Sequence, residues 1–256
     1  MFYEKLNVDI DLEKLRQEVK ESVFTLGDQV IQGEEYETPQ YHGFGGWSLL
    51  SRLGDYRDGW EAVQAEEGVT LESYLPTQEL IIKSHKYFNI AHSLEYDKPT
   101  QAYVGEIKKV IDKLDELGFE PRRARVTCLK AGCKSLVHKD ADTDEYMARI
   151  HIPLWSNDKC VFIADGENLY MEPGSVYIVW TNIWHQIRND SDEDRYHIIM
   201  DAYDTKQITE HFKYTGDFSK LENFARGYRQ QIEEMELTQE DKDFFEAIKQ
   251  RYTNKK

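Results

Sequence analysis

The chain has little cysteine and no cysteine pair. Cys128, Cys133 and Cys160 are odd in number and widely spaced, with no CxxC among them. A disulfide scaffold is not expected, and a reducing cytoplasm suits these thiols better. Positive charge is also scarce: 32 Lys and Arg stand against 48 Asp and Glu, a net charge of −16. That balance argues against nucleic acid or an anionic membrane surface as the main partner, and solubility is enough to account for it. The opening MFYEKLNVDIDLEKLRQEVK has no uninterrupted apolar stretch, and no run approaches a membrane span. Repeats, low-complexity tracts and a dividing linker are missing too. The expectation is one soluble, cytoplasmic domain, for which 256 residues provide a sufficient core.

What is present is a change of period along the chain. After Asp11, a candidate N-cap, Leu12, Leu15, Val19 and Val23 recur at helical spacing. A loop-rich segment, roughly 32–74, mixes glycines with Tyr36, Tyr41, Trp47 and Trp60. It suits either a loop over a cavity mouth or a connector whose aromatics patch the core. Residues 77–93 read as a helix or irregular segment. A helix from about Thr100 to Leu117 is expected, with Val104, Ile107, Ile111 and Leu114 on one face and Gly118 ending it. Short alternating runs follow at 125–130, 148–154, 160–164, 169–171, 175–180 and 196–202. Turn signals such as Asp165-Gly166 and Pro173-Gly174 separate them. Close-spaced strands without helical crossovers predict an antiparallel sandwich or jelly roll. Ser219 with Glu222, and Thr238 with Asp241, are candidate capping boxes for terminal helices. The fold class is thus α+β with a mainly β core: a helical and loop-rich part over 1–120, a core over 121–204 and helices over 205–256.

Alternation sends residues i and i+2 to one strand face. Arg149 and His151 therefore share a face, as do Arg195 and His197, leaving Ile150, Ile152, Tyr196, Ile198 and Met200 opposite. An ordinary sandwich would bury the apolar face and wet the cationic one. The amphipathic helices favour another arrangement, in which they cover the apolar faces and the cationic faces line a cavity.

His138-Lys139-Asp140 and His185, 47 positions on, are a candidate metal set, with Arg195 ten residues further. Two histidines and a carboxylate on one side of an ion leave positions open, as non-haem Fe(II) oxygenases require. Such an ion takes a 2-oxo acid and O2, and an arginine can clamp the acid's far carboxylate. His-x-Asp alone is weak in so acidic a chain, and Asp142, Asp144 and Glu145 lie nearby. A cupin-like zinc hydrolase or isomerase would use the same ligands but gives Arg195 no role. A non-catalytic β-sandwich binding module would make the histidines structural.

Residues 124–204 resemble the aspartyl/asparaginyl β-hydroxylase family of Fe(II)/2-oxoglutarate-dependent oxygenases, which includes bacterial proline hydroxylases. The carriers are RVTCLKAGCKSLVHKD, ARIHIPL, MEPGSVYIVW and HQIRNDSDEDRYHIIMDAYD. The resemblance implies a double-stranded β-helix, a cupin-like jelly roll, with His138, Asp140 and His185 on Fe(II). It implies Arg195 on the far carboxylate of 2-oxoglutarate, assisted by Thr127, with Arg149 and His151 toward the other end of that co-substrate. A retained Asp140 favours hydroxylation over halogenation. The implied reaction consumes O2 and 2-oxoglutarate, releases succinate and CO2, and hydroxylates a free amino acid, an amino-acid-like small molecule, or an Asp or Asn residue of a protein. His42, Trp47, Arg52, Trp180, Asn182 and Trp184 are candidates for a pocket wall or lid. Arg122, Arg123 and Arg188 are available to a substrate carboxylate.

Overall fold

A computed structural model describes residues 2–26, 44–52, 54–56, 83, 86–87, 96–135, 137, 140, 148–202 and 230–253. The elements run β1 (Tyr3–Leu6), α1 (Leu12–Leu26), β2 (Phe44–Ser48), β3 (Leu50–Ser51), β4 (Lys98–Pro99), α2 (Gly105–Glu116), β5 (Arg122–Leu129), β6 (Ala148–Trp155), β7 (Cys160–Ala164), β8 (Glu167–Tyr170), β9 (Val176–Trp180), β10 (His185–Asn189), β11 (Arg195–Ala202) and α3 (Gln239–Thr253). Among the described residues, strands form a six-stranded sheet in the order β1-β9-β6-β11-β5-β2, a three-stranded sheet β10-β7-β8 and a small pair β3-β4. All paired strands are antiparallel. From β6 to β11 the chain passes repeatedly between the two larger sheets, which is the winding of a double-stranded β-helix.

The apolar halves of the alternating strands face outward onto the helices. Ile150, Ile152 and Leu154 of β6, Ile198 and Met200 of β11, and Val126 of β5 pack with Leu15 and Val19 of α1 and Ile107, Val110, Ile111 and Leu114 of α2. Each large aliphatic side chain so buried contributes about 1.5–3 kcal/mol. That is why the helices lie on this face and the polar one is left to the interior. A second cluster joins the sheets across that interior: Phe162 and Ala164 of β7 and Leu169 of β8 meet Tyr177 and Val179 of β9.

The ends of α1 and α2 show how the frame is held. Asp11 caps α1, its carboxylate accepting the Lys14 N–H at 3.1 Å. The expected helix at Thr100 begins later, at Gly105, because Thr100 is tied to the first sheet edge. Its N–H donates to the Leu49 carbonyl at 3.0 Å and its hydroxyl to that of Ser48 at 2.8 Å. Val104 is consequently outside the helix and exposed rather than on its apolar face. The first N–H groups of α2 have no local cap. Glu18 of α1 supplies one, accepting Glu106 N–H at 2.7 Å and Ile107 N–H at 2.9 Å. Gly118 (φ 88°) ends α2 as foreseen, with Phe119 N–H reaching the Leu114 carbonyl at 3.1 Å and Gly118 N–H that of Asp115 at 2.8 Å.

Four strands, β1 to β4, arise in the part read as helical and loop-rich. β1 and β2 form the edges of the large sheet, so the barrel is not confined to 121–204. β10 was not foreseen as a strand either. Thr238 and Asp241 make the expected capping box, Asp241 accepting from Thr238 and donating its N–H back at 3.1 Å. The Ser219–Glu222 box and most of residues 77–93 lie outside the described residues. All three cysteines are free. No helix among the described residues is long and apolar enough to cross a membrane.

Candidate active site

Register decides which side chains enter the space between the sheets. His197 lies opposite Thr127, and Ile199 opposite both Arg125 and His151. Asp201 lies opposite Arg149. Cross-strand partners share a face, so Arg125, Thr127, Arg149, His151, Arg195, His197 and Asp201 belong to one polar surface turned away from the helices. Thr127, His151, Arg195, His197 and Asp201 are all buried. The cationic faces of β6 and β11 therefore point inward, the second of the two arrangements considered from the sequence.

Two of the three expected ligands meet here; His138 lies outside the described residues. Asp140 is held by its N–H on the Thr181 carbonyl at 3.1 Å, and its Oδ2 lies 2.8 Å from Arg149 Nη1. His185, the first residue of β10, brings Nε2 to 3.8 Å from the same Oδ2. Its Nδ1 is 2.9 Å from the Ile183 carbonyl. A carbonyl only accepts, so Nδ1 carries the proton and Nε2 presents its lone pair. A lone pair and a carboxylate oxygen turned toward each other call for a cation between them, and a histidine fixed through its other nitrogen is the usual form of a metal ligand. Phe162 stacks on the His185 ring at 4.8 Å and 12°, holding its plane. Among the described residues no group of three or more His, Cys, Asp or Glu side chains gathers to hold an ion.

Further along the surface, Arg195 Nη2 lies 2.8 Å from His197 Nδ1. Guanidinium only donates, so Nδ1 accepts and the His197 proton sits on Nε2, which has no partner among the described residues. Neither ring nitrogen of buried His151 has a hydrogen-bond partner among the described residues. Burial, reinforced by the charge of Arg195, holds both imidazoles well below the ordinary histidine range, so they are neutral at pH 7. Burial also brings Arg195 down to about 10, which leaves it charged. Thr127 donates its hydroxyl to the His197 carbonyl at 3.3 Å. A charged guanidinium beside neutral imidazoles with unused polar atoms suits an anionic oxygen ligand. The residues present thus fit both a divalent ion and a carboxylate-bearing co-substrate.

Sequence reasoning missed the group that holds Arg149. Asp201, fully buried, accepts from Arg149 Nε at 3.0 Å, and its Oδ2 lies 3.5 Å from Arg123 Nε. Burial alone would raise its pKa. Arg149, Arg123 and Arg125 outweigh that and lower it. Arg123 adopts φ 48° where the register of β5 slips against β11, a bulge that re-aims its side chain. The i, i+2 series Arg195-His197-Ile199-Asp201 was the available signal.

The wall candidates divide. Trp47 is packed in the helix-covered core rather than in a pocket. Trp184 is 63% exposed and Asn182 is buried. Trp180 and Arg52 are half-buried, and His42 lies outside the described residues. Arg188 pairs with Asp190 at the surface.

A sequence profile of the family described as aspartyl/asparaginyl beta-hydroxylase matches residues 13–205. Comparison with curated proteins finds no match. Among solved structures, an oxidoreductase of the 2OG-Fe(II) oxygenase family from Burkholderia pseudomallei is 15% identical, covering 39% of this chain and 58% of that one at TM-score 0.32. A viral collagen prolyl hydroxylase from Paramecium bursaria Chlorella virus-1, in complex with 2OG, is 12% identical over 38% of this chain and 72% of that one at TM-score 0.33. A predicted oxalate decarboxylase from Thermotoga maritima is 19% identical over 36% and 72% at TM-score 0.27.

Proposed function

The chain belongs to the aspartyl/asparaginyl beta-hydroxylase family, and on that premise we propose that it is an Fe(II)- and 2-oxoglutarate-dependent dioxygenase. It hydroxylates an unactivated C–H of a free amino acid, an amino-acid-like small molecule, or an Asp or Asn residue of a protein. The observation that carries this reading is the facing pair of His185 Nε2 and Asp140 Oδ2, 3.8 Å apart, with the proton of His185 fixed on the far nitrogen. Asp140 and His185 hold the ion, and His138 completes the set.

When bound, Fe(II) with 2-oxoglutarate and O2 supplies the oxidation: one oxygen atom enters the substrate C–H bond, the other enters succinate, and CO2 leaves. The chain's own residues orient and enclose. Arg195 binds the far carboxylate of 2-oxoglutarate, kept charged in a buried place where the pair is worth more than in water. His197 fixes the Arg195 fork through its Nδ1, and Thr127 stands on the facing strand within the same group. Arg149 and His151 flank the metal pair, Arg149 through its contact with Asp140. Phe162 keeps water off the face of the His185 ring.

The deciding test is anaerobic addition of Fe(II) and 2-oxoglutarate. The visible metal-to-ligand charge-transfer band should appear in the wild type and vanish in His185→Ala. A zinc hydrolase or a binding module gives no band. Its absence in wild-type protein that has taken up Fe(II) would end the assignment. A screen of amino acids and peptides for succinate release then narrows the substrate.

A further inference from the structure

Asp201 and Asp140 stand on either side of one guanidinium. Arg149 donates from Nε to Asp201 Oδ1 at 3.0 Å, and its Nη1 lies 2.8 Å from Asp140 Oδ2. These side chains are nearly shut off from water, Asp201 wholly so, and charges so placed act strongly on one another. The two carboxylates differ in their footing. Asp201 belongs to β11 and is paired with Arg122 of β5 on one side and with Arg149 of β6 on the other. Asp140 lies outside the strands, its N–H on the Thr181 carbonyl at 3.1 Å. Its Oδ2 is also the oxygen that faces His185 Nε2 at 3.8 Å. A guanidinium resting on that oxygen competes with an ion for it, unless another carboxylate shares the guanidinium charge. Asp201 is that carboxylate, and Arg123 draws on its other oxygen at 3.5 Å.

We propose that Asp201 is a positioning residue for the metal. It holds Arg149 to β11 and shares its charge, and so fixes Asp140 beside His185 with Oδ2 available to the ion. The inference rests on the reading of Asp140 and His185 as metal ligands and goes beyond it, because Asp201 acts on the ion only through Arg149. A ligating carboxylate depends on the groups bonded to it in turn. Here that dependence reaches back through Arg149 to a central strand of the large sheet.

Calorimetric titration of Co(II) into the full chain, without 2-oxoglutarate, reads this once circular dichroism has shown each variant folded. Asp201→Asn should raise the Co(II) Kd about 10–100-fold. In an Arg149→Met background the same change should alter Kd by no more than about threefold, because the link through which Asp201 acts is gone. Arg123→Met leaves Asp201 to Arg149, so it should weaken binding by no more than about threefold; this variant decides the matter if Asp201→Asn does not fold. The proposal is overturned if Asp201→Asn binds Co(II) as the wild type does, or if it weakens binding equally with and without Arg149. A loss of about tenfold or more in Arg123→Met overturns it too, since the whole cluster would then serve the fold. All of these outcomes leave the metal reading standing. Uptake that survives His185→Ala, or no uptake by the wild type, overturns that reading and this inference with it.

Discussion

Replacing Asp201 by asparagine tests the electrostatic frame of the site with little change of shape. The wild-type carboxylate is fully buried and meets Arg149 at 3.0 Å and Arg123 at 3.5 Å, with Arg125 close by. Asn keeps one oxygen for Arg149 and turns an NH2 toward a guanidinium that also only donates. Removing one partner of a buried ion pair costs about 3–5 kcal/mol, and the retained acceptor places this variant near 3. Against a total stability of about 5–15 kcal/mol that is a large share. It corresponds to a fall in Tm of roughly 6–12 °C. The assay is urea unfolding followed by tryptophan fluorescence. A double-mutant cycle with Arg149→Met should show the pair losing about 2 kcal/mol less than the two single changes added. Asp201 titrates below its unfolded value, so its stabilisation is present above about pH 3.9 and is lost as pH falls through the folded value. Asp201→Asn should flatten that acid limb. A cost under about 1 kcal/mol, or strict additivity with Arg149→Met, would refute the reasoning.

Arg195→Met should weaken 2-oxoglutarate binding about 10–150-fold and change Fe(II) affinity by no more than about threefold, both measured anaerobically. Equal loss of both would show that the arginine supports the fold rather than the co-substrate. His197 is buried neutral with a depressed pKa, so its contribution is full above about pH 6.5 and falls by up to about 1.4 kcal/mol per pH unit below it. Unfolding free energies at pH 6.5 and 5.5 should diverge less in His197→Asn than in the wild type, and an unchanged slope counts against the buried neutral state. Glu18→Ala should cost about 1–2 kcal/mol by uncapping α2, read from denaturant midpoints. A loss under about 0.5 kcal/mol would mean that water caps the helix equally well.

Where the chain's pattern was local, the sequence was readable. ARIHIPL and RYHIIMDA alternate over seven or eight residues, and the inward sets Arg149/His151 and Arg195/His197 came directly from that period. The Thr238–Asp241 box and the Gly118 stop are likewise written within a few residues. β1, β2 and β10 were hidden because their strand character comes from partners far away. YEKL has no apolar alternation, FGGWS contains two glycines, and HQIRN pairs with residues 160–164. The late start of α2 depends on Thr100 finding Ser48 and Leu49. Asp201 and Arg125 sat on a face that could be counted from Arg195 and Thr127. Their partnerships depend on a bulge at Arg123 that no residue pattern announced.

Phe2 stacks on Phe162 at 5.9 Å, and Phe162 stacks on His185 at 4.8 Å. The ring that presents Nε2 is therefore braced, through one intermediate, by Phe2, which reaches it because β1 pairs with β9, Tyr3 with Val179 and Leu6 with Val176. Closing so long a loop is slow. Docking of residues 3–6 and ion binding at His185 are accordingly expected to be coupled. In hydrogen exchange, added Fe(II) should protect the β1 and β9 amides together, whereas protection confined to β10 would uncouple the two events.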